Sequence, residues 1–580
     1  MFANAAFSAR FLQRLHIEGD GLNKKICFFS GWLTVMLIGL LLVPGLASAH
    51  AYIVKSTPAE NAVLAQPPAK ADIYFNEPLQ KAFHSIKVTD SSGKTVNLSE
   101  SRIPEGESSV LEADLQPDLP KGVYAVQWKA VSADGHPVEG TFSFQIGEGS
   151  GSSSNGSHST VTASAGWPGA DLIIIRWLFY TSLAFLAGIY CFQLYLLPAG
   201  TGSRPAWSTR SIKLMWINIA VLTASFLLSL PQQTGIDAGV GWSGVWSEPS
   251  LLLKMLRITS FGEVWLVQLL LLVLIIALAI AVPKIKDKDN TYIAGTVAFL
   301  LMLIMLLAKS FIGHPAASEH KAVGIAMDFL HLGAASLWLG SLLAFAVLLP
   351  KEASLPAEPE QRKRSYFAII RRFSLWGTAF VVLILISGVY GSLQYVPTWY
   401  SLFHTPYGKV LLAKCALLLI MLLLAAWNML RGRQEKRNLG AGVWLELTAG
   451  ILALVLAAAL TNMPTAMASP GPLHVKQTLE NKNVISLDIS PNITGVNEFE
   501  VKVQDSKGQP VQGIEQIKLT LTCLDMDMGK YEIVMPGGKA EGYKAKDLIS
   551  MAGKWNVHVH MLTDKLETWD TDIVIHVGNH

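Results

Sequence analysis

Eight long apolar segments occupy the middle of the sequence. Each has about the 20 residues that an α-helix needs to cross the hydrocarbon core of a bilayer. Only 15% of the 580 residues are charged, whereas soluble proteins usually carry about 25%. The sequence therefore predicts a membrane protein with a polytopic α-helical bundle of about eight transmembrane helices, near 171–196, 211–230, 261–283, 291–312, 324–349, 373–394, 408–430 and 442–463.

Lysine and arginine are unevenly shared among the loops that join these segments. Sixteen of them lie in or next to four alternate loops, and the other three loops hold three. Because cytoplasmic loops carry the excess of positive charge, the regions before and after the bundle are predicted to be extracytoplasmic. The net charge of +3 is too small for the basic surface of a nucleic-acid-binding protein, so no nucleic-acid partner is expected.

The first 49 residues have the pattern of a secretory signal peptide. Four basic residues precede an apolar stretch at 26–42, and the small residues at 47–49 form a cleavage pattern. Cleavage there would make His50 the N-terminal residue of the mature protein. The alternative is an uncleaved anchor helix.

Two polar regions flank the bundle, and both have the pattern of small all-β sandwiches or barrels. Apolar and polar residues alternate in short runs at 50–147 and at 466–580, with turn residues between the runs. Segment 148–168 consists largely of Gly, Ser, Thr and Ala, which is typical of a flexible linker. The predicted order is a signal peptide at 1–49, a β-domain, the linker, a membrane domain at 169–465 and a second β-domain.

A histidine at a mature N-terminus can chelate a metal ion through its amine and its imidazole. Asp134 and His136 add a carboxylate and a second imidazole, and residues two apart on an extended segment point to the same side. Three nitrogens and one oxygen suit tetragonal Cu(II). Asp-Gly-His-Pro alone is also an ordinary turn sequence, so the prediction depends on its combination with His50.

The same region contains the stretches HAYIVKSTPAEN at 50–61, FNEP at 75–78 and VSADGHPVEG at 131–140. In these stretches it resembles CopC, a family of periplasmic copper-binding β-barrels. The resemblance implies that His50, Asp134 and His136 bind Cu(II). Some members also hold Cu(I) in a methionine-rich loop, but residues 50–147 contain no methionine, so only a Cu(II) site is expected in this domain.

Ionisable residues within the predicted bundle indicate a polar pathway, because burying charge in a bilayer is costly. Asp328 and His331 are three residues apart and would share one face of a helix. His314 precedes this helix at the predicted outer mouth. All three are predicted pathway or metal-binding residues, and the alternative is a structural ion pair of Asp328 with Lys309 or Lys414.

The bundle contains the stretches MDFLHLGAASLWLG at 327–340, PYGKVLLAK at 406–414 and ALTNMP at 459–464. In these stretches it resembles CopD, the membrane partner of CopC. Fusion to a CopC-like domain strengthens this resemblance, which implies a copper-handling membrane protein.

The C-terminal β-domain resembles YtkA-like domains at 524–530 (LDMDMGK) and 550–557 (SMAGKWNV). Met526 and Met528 alternate onto one face of a predicted strand, as do His558 and His560. Thioether and imidazole ligands together suit Cu(I), so Cu(I) is a candidate ligand of this domain. Paired residues of this kind on a strand are also commonly structural.

These features predict a protein that captures Cu(II) outside the cell and passes it through the membrane domain, in copper uptake and homeostasis. Copper ions and the lipid bilayer are its expected partners, and an extracytoplasmic copper chaperone is a further candidate. The sequence contains neither a P-loop nor a DKTG-like phosphorylation motif, and no enzymatic activity is predicted. The alternatives are copper resistance by sequestration or export, and a copper- or haem-dependent membrane oxidoreductase.

Overall fold

A bundle of apolar helices lies between two β-domains in the computed structural model of the chain. The order of strands, helices and strands is the order that the hydropathy pattern predicts. The structure describes residues 51, 53–132, 135, 137–147, 167–197, 207–314, 320–349, 359–433, 440–479, 482–524, 530–535, 542–549 and 552–578.

The first β-domain is a sandwich of two sheets. Its strands are β1 (Ile53–Thr57), β2 (Val63–Leu64), β3 (Lys70–Phe75), β4 (Ser85–Thr89), β5 (Val110–Asp114), β6 (Gly122–Val131) and β7 (Pro137–Ile146). One sheet has the order β1-β3-β5 and the other the order β2-β7-β6-β4. Apolar side chains from both sheets, such as Ile73, Leu111 and Val126, are fully buried between them. The alternation of apolar and polar residues places one face of each strand in this core.

Eight of the described helices are long and apolar enough to cross a membrane, and they form the middle of the molecule. They include all eight of the predicted segments. In chain order the helices are α1 (Ala170–Cys191), α2 (Thr209–Ala238), α3 (Trp242–Ser247), α4 (Ser250–Ile258), α5 (Ser260–Ala281), α6 (Lys288–Lys309), α7 (Lys321–Val347), α8 (Pro359–Tyr395), α9 (Trp399–His404), α10 (Pro406–Arg433) and α11 (Gly440–Leu460). The short helices α3, α4 and α9 lie in the loops.

Helices α1 and α7 cross at the centre of the bundle with their backbones in contact. A Cβ atom on Gly188 would lie 2.0 Å from the carbonyl carbon of Gly340, and a Cβ atom on Gly340 would lie 1.9 Å from the carbonyl oxygen of Ala184. Small residues allow helices to approach this closely in a membrane, where tight packing holds helices together. The crossing fixes the position of α7, which carries Asp328 and His331.

The second β-domain is also a sandwich of two sheets. Its strands are β8 (Leu473–Thr478), β9 (Val484–Ser490), β10 (Gly495–Gln504), β11 (Ile514–Cys523), β12 (Lys530–Met535), β13 (Tyr543–Ile549), β14 (Gly553–Thr563) and β15 (Thr568–Val577). The sheet orders are β13-β10-β9-β8 and β12-β11-β14-β15. Leu487, Phe499 and Val559 are among the fully buried side chains between them.

Both β-domains pack against the same end of the helix bundle. The Gln80 side chain donates to Ser260 Oγ at 2.7 Å and accepts from the Ser260 backbone N–H at 3.2 Å, so it joins the first domain to the start of α5. Thr398 Oγ1, just after α8, donates to the carbonyl oxygen of Pro470 at 2.6 Å, beside the start of the second domain. Val54 of β1 is buried in the apolar cluster of the second domain, so the two β-domains also contact each other.

Candidate functional site

The predicted site residues fall into two groups. The Cu(II) ligands His50, Asp134 and His136 lie outside the described residues, and so do Met526 and Met528. The pathway residues are described, and the structure brings all three of them to one cavity: His314, Asp328 and His331.

This cavity has a volume of about 660 Å³ and lies partly under the first β-domain and partly between the helices. Gly135 and Pro137 line it on the side of the β-domain. These two residues are the chain neighbours of His136 on either side. Asp328 and His331 line it from α7, so one continuous space touches both the segment of the predicted Cu(II) site and the predicted pathway.

His331 is held by a hydrogen bond to Ser387, and the other contact of this serine assigns the tautomer of the ring. Its Nδ1 atom lies 3.0 Å from Ser387 Oγ on α8, and Ser387 donates its own proton to the carbonyl oxygen of Leu383 at 2.6 Å. Ser387 Oγ therefore accepts from the Nδ1–H group of neutral His331. The lone pair remains on Nε2, which is the form of imidazole that binds a metal ion.

Gly388 makes room for the His331 ring. A Cβ atom at this position would lie 3.4 Å from Cε1 of His331, so a larger side chain on this part of α8 would press against the imidazole. The same residue lines the cavity. Its lack of a side chain keeps the space beside His331 open.

Asp328 lies one helical turn before His331 and is surrounded by cationic groups. It interacts electrostatically with Lys309 at the end of α6 and with Lys414 on α10, and also with His314. Both lysines that the sequence suggested as alternative partners are therefore near the carboxylate. His314 is buried, and its ring centroid lies 5.6 Å from that of Tyr395.

A polar connection between the β-domain and the helices was not predicted from the sequence. Arg176 on α1 donates to Gln233 Oε1 at 3.0 Å, and Gln233 Nε2 donates to Asp237 Oδ1 at 2.7 Å. The same Nε2 atom lies 3.5 Å from the carbonyl oxygen of Gly135. An arginine within an apolar segment was a signal that the sequence did contain, because such residues usually line a pathway or form a pair.

The charged residues that line the cavity do not give it a net negative charge. Three of the described lining residues are cationic and two are anionic, namely Arg176, Lys309, Lys414, Asp237 and Asp328. A hydrated cation would gain little from such a lining. Asp328 and His331 offer this cavity a carboxylate and an imidazole, which are types of ligand that bind metal ions directly.

Three family models match successive parts of the chain. The model described as "CopC domain" matches residues 53–147, and "Copper resistance protein D-like, N-terminal domain" matches residues 169–324. The model described as "Copper resistance protein D" matches residues 367–460. The predicted resemblances to CopC and CopD are confirmed.

The names of the curated relatives also refer to copper. The chain is 36% identical to the "Copper transport protein CutJ" of Bacillus subtilis over 537 residues, which cover 92% of this chain and 96% of the relative. Its front part is 31% identical to "Copper resistance protein C" of Pseudomonas syringae pv. tomato, covering 20% of this chain and 95% of the relative. The "Copper resistance protein D" of the same organism is 27% identical and covers 51% of this chain and 97% of the relative. The chain therefore belongs to the family of copper transport proteins in which a CopC domain is fused to a CopD membrane domain.

Proposed function

We propose that this copper transport protein captures Cu(II) at its first β-domain and passes the ion through the cavity to His331 and Asp328 in the membrane domain. The observation that carries the proposal is the continuous space that touches Gly135 and Pro137 at one end and these two residues at the other. An ion released from the β-domain would enter the helices without crossing bulk water.

The proposed capture site consists of His50, Asp134 and His136. The N-terminal amine and the imidazole of His50 would chelate the ion, and Asp134 and His136 would complete a tetragonal set. Gln233 supports this placement, because its contacts with Arg176 and the carbonyl oxygen of Gly135 hold the segment of the site against the bundle. We place this side of the protein outside the cell, on the distribution of Lys and Arg among the loops.

In the membrane domain His331 is the proposed first ligand. Its neutral form offers Nε2, while Ser387 fixes the ring through Nδ1. Asp328 supplies a carboxylate on the same helix face and offsets part of the charge of the ion. Lys309 and Lys414 compete with the ion for that carboxylate. An ion that binds to Asp328 therefore replaces its interaction with a lysine.

Copper accumulation in cells tests the two steps together. His136→Ala and His331→Ala should each lower accumulation about tenfold or more at equal expression, because each removes an imidazole ligand. Purified full-length His136→Ala should also bind Cu(II) more weakly, whereas His331→Ala should keep the capture site intact. His404→Ala is the matched control, because His404 lies exposed on α9 at the same end of the bundle and stacks on Tyr400.

Unchanged accumulation in His331→Ala would show that the α7 histidine is structural. Asp328→Asn keeps the shape of the side chain and removes its charge, so it separates the role of the carboxylate from that of packing. Accumulation equal to that of the wild type in this variant would restrict Asp328 to its ion pairs with the lysines.

A second candidate is copper resistance by sequestration or export, and it is favoured by the names of the relatives that match the front domain and the bundle. Growth of a deletion strain distinguishes the two. Poor growth only under copper starvation indicates import, and sensitivity to excess copper indicates resistance.

In either case we propose that a YtkA-like C-terminal domain shares the outer side with the CopC domain, where an extracytoplasmic copper chaperone could meet both.

A further inference from the structure

A row of histidines and carboxylates crosses two strands on the outer face of the second β-domain. His558 and His560 alternate with buried residues on β14, so both side chains point away from the core. The register of β14 and β15 sets Asp572 opposite His558 and Asp570 opposite His560. The pairing of the strands therefore gathers two imidazoles and two carboxylates.

Asp570 stands between the two imidazole rings. Its Oδ1 atom lies 2.7 Å from Nδ1 of His560 and 3.3 Å from Nε2 of His558. One ligand atom from each of the three residues lies within 4.8 Å of the others. For metal–ligand bonds of about 2.0–2.1 Å, neighbouring ligand atoms are roughly 2.8–3.4 Å apart. The distance of Asp570 from His558 lies within this range, and its distance from His560 is just below it.

A second carboxylate orients His558. Nδ1 of His558 lies 3.1 Å from Asp572 Oδ1, which leaves Nε2 on the side of Asp570. Asp572 is itself held by a hydrogen bond from Asn556 Nδ2 at 2.7 Å. A carboxylate on the remaining ring nitrogen is the usual support of a metal-binding histidine, because it fixes the ring and makes it more basic.

The cluster is open to solvent, and a lysine on the neighbouring strand is paired with a glutamate. The side chains of His558, His560 and Asp570 are 39%, 33% and 45% exposed. Lys518 of β11 is the cross-strand neighbour of His560. Its Nζ atom lies 3.1 Å from Glu532 Oε1, on the side away from β14. An ion can therefore reach the three ligands from outside.

We propose that His558, His560 and Asp570 form a second Cu(II) site of this protein, oriented by Asp572. Two imidazoles and one carboxylate suit Cu(II), which binds such ligands more tightly than the other divalent first-row metals do, and waters would fill the remaining positions. The site goes beyond the proposed function because it takes no part in the path through the cavity. It would add a second point of copper capture at the end of the bundle where both β-domains lie.

Counting bound copper on the full-length protein in detergent tests the proposal. Equilibrium dialysis against Cu(II) should show one equivalent fewer in the double variant His558→Ala/His560→Ala than in the wild type. Asp570→Asn keeps the volume of the side chain and should weaken the same equivalent by about 10-fold or more. His474→Ala is the matched control, because His474 also forms an exposed ion pair, with Asp488, in the other sheet of this domain.

Electron paramagnetic resonance of the copper-loaded protein distinguishes copper binding by these residues from a purely structural role, which would leave the Cu(II) signal unchanged. In the His136→Ala background, which lacks one imidazole of the front site, the protein should give a signal with two imidazole nitrogens. This signal should be absent when His558→Ala/His560→Ala is added and present when His474→Ala is added, while all three proteins keep the same melting temperature. An equal copper count in the double variant and the control would overturn the proposal, and so would a difference seen with Zn(II) but not with Cu(II). His136→Ala removes only the front site, so failure of the proposed capture site would leave this difference unchanged.

Discussion

At the scale of single residues, the proton on His331 decides whether the ring can bind a metal ion. His331 donates its Nδ1–H group to Ser387 Oγ, because the hydroxyl proton of Ser387 is directed to the carbonyl oxygen of Leu383. The position of the serine follows from the packing of α8 against α7. His331 could be predicted from the sequence because an ionisable side chain is costly to bury in a membrane. Nothing in the sequence indicated that Ser387 orients it.

His84 makes the stability of the first β-domain depend on pH. Burial lowers the pKa of His84 below its usual value, the charge of Lys254 lowers it further, and Glu100 acts in the opposite direction. The folded protein therefore binds this proton less readily than the unfolded chain does, so stability is lost as the pH falls through about 6.5, the ordinary histidine value.

We expect the melting temperature of the purified protein to fall between pH 7.5 and pH 5.5. The fall should be smaller in His84→Gln, which has no proton to gain, and thermal unfolding in detergent measures it. His404→Gln shows how much of the difference any exposed histidine causes. If His84→Gln loses as much stability as the wild type, burial of His84 does not control the response.

At the scale of elements, the contact of α1 with α7 holds the helix that carries the pathway residues. A methyl group on Gly340 would lie 1.9 Å from the carbonyl oxygen of Ala184, whereas one on Gly333 of the same helix would meet nothing within 4 Å. Gly340→Ala should therefore cost about 1–3 kcal/mol of stability through overpacking. Gly333→Ala should gain about 0.5–1 kcal/mol, because alanine favours a helix.

Unfolding of the two variants in detergent measures this difference, and the shared substitution makes each the control of the other. A lower melting temperature is expected for Gly340→Ala only. Equal melting temperatures would mean that the two helices separate easily and that their crossing does not position α7.

The elements themselves were predictable to within a few residues at most ends. The segment expected at 171–196 is a span at Ala170–Leu196, and that expected at 442–463 is Gly440–Leu460. Bilayer thickness fixes the length of an apolar helix, so hydropathy alone locates it. Which elements become neighbours was not predictable. The connection from Arg176 through Gln233 to Gly135 depends on tertiary packing, and the pairing of His560 with Asp570 depends on strand register.

At the scale of the whole molecule, the arrangement of the three parts creates the proposed route for copper. The first β-domain is docked on the bundle by the paired hydrogen bonds of Gln80 with Ser260. Phe83 continues the contact as an apolar cluster with Met255. The cavity lies under this contact between the first β-domain and the bundle, and it continues between the helices. A tethered domain held over the mouth of a cavity can deliver an ion at a high effective concentration, which bulk diffusion does not provide.

Copper transport by the full-length protein in liposomes tests whether the ion passes through this cavity. Gly388→Leu would fill the space beside His331, while Gly377→Leu places the same side chain on α8 outside the cavity, where a Cβ atom meets only Phe373 at 3.9 Å. We predict that Gly388→Leu lowers the copper flux at least tenfold without changing Cu(II) binding at the first β-domain, and that Gly377→Leu transports like the wild type. Equal flux through Gly388→Leu and Gly377→Leu would contradict a route through the cavity.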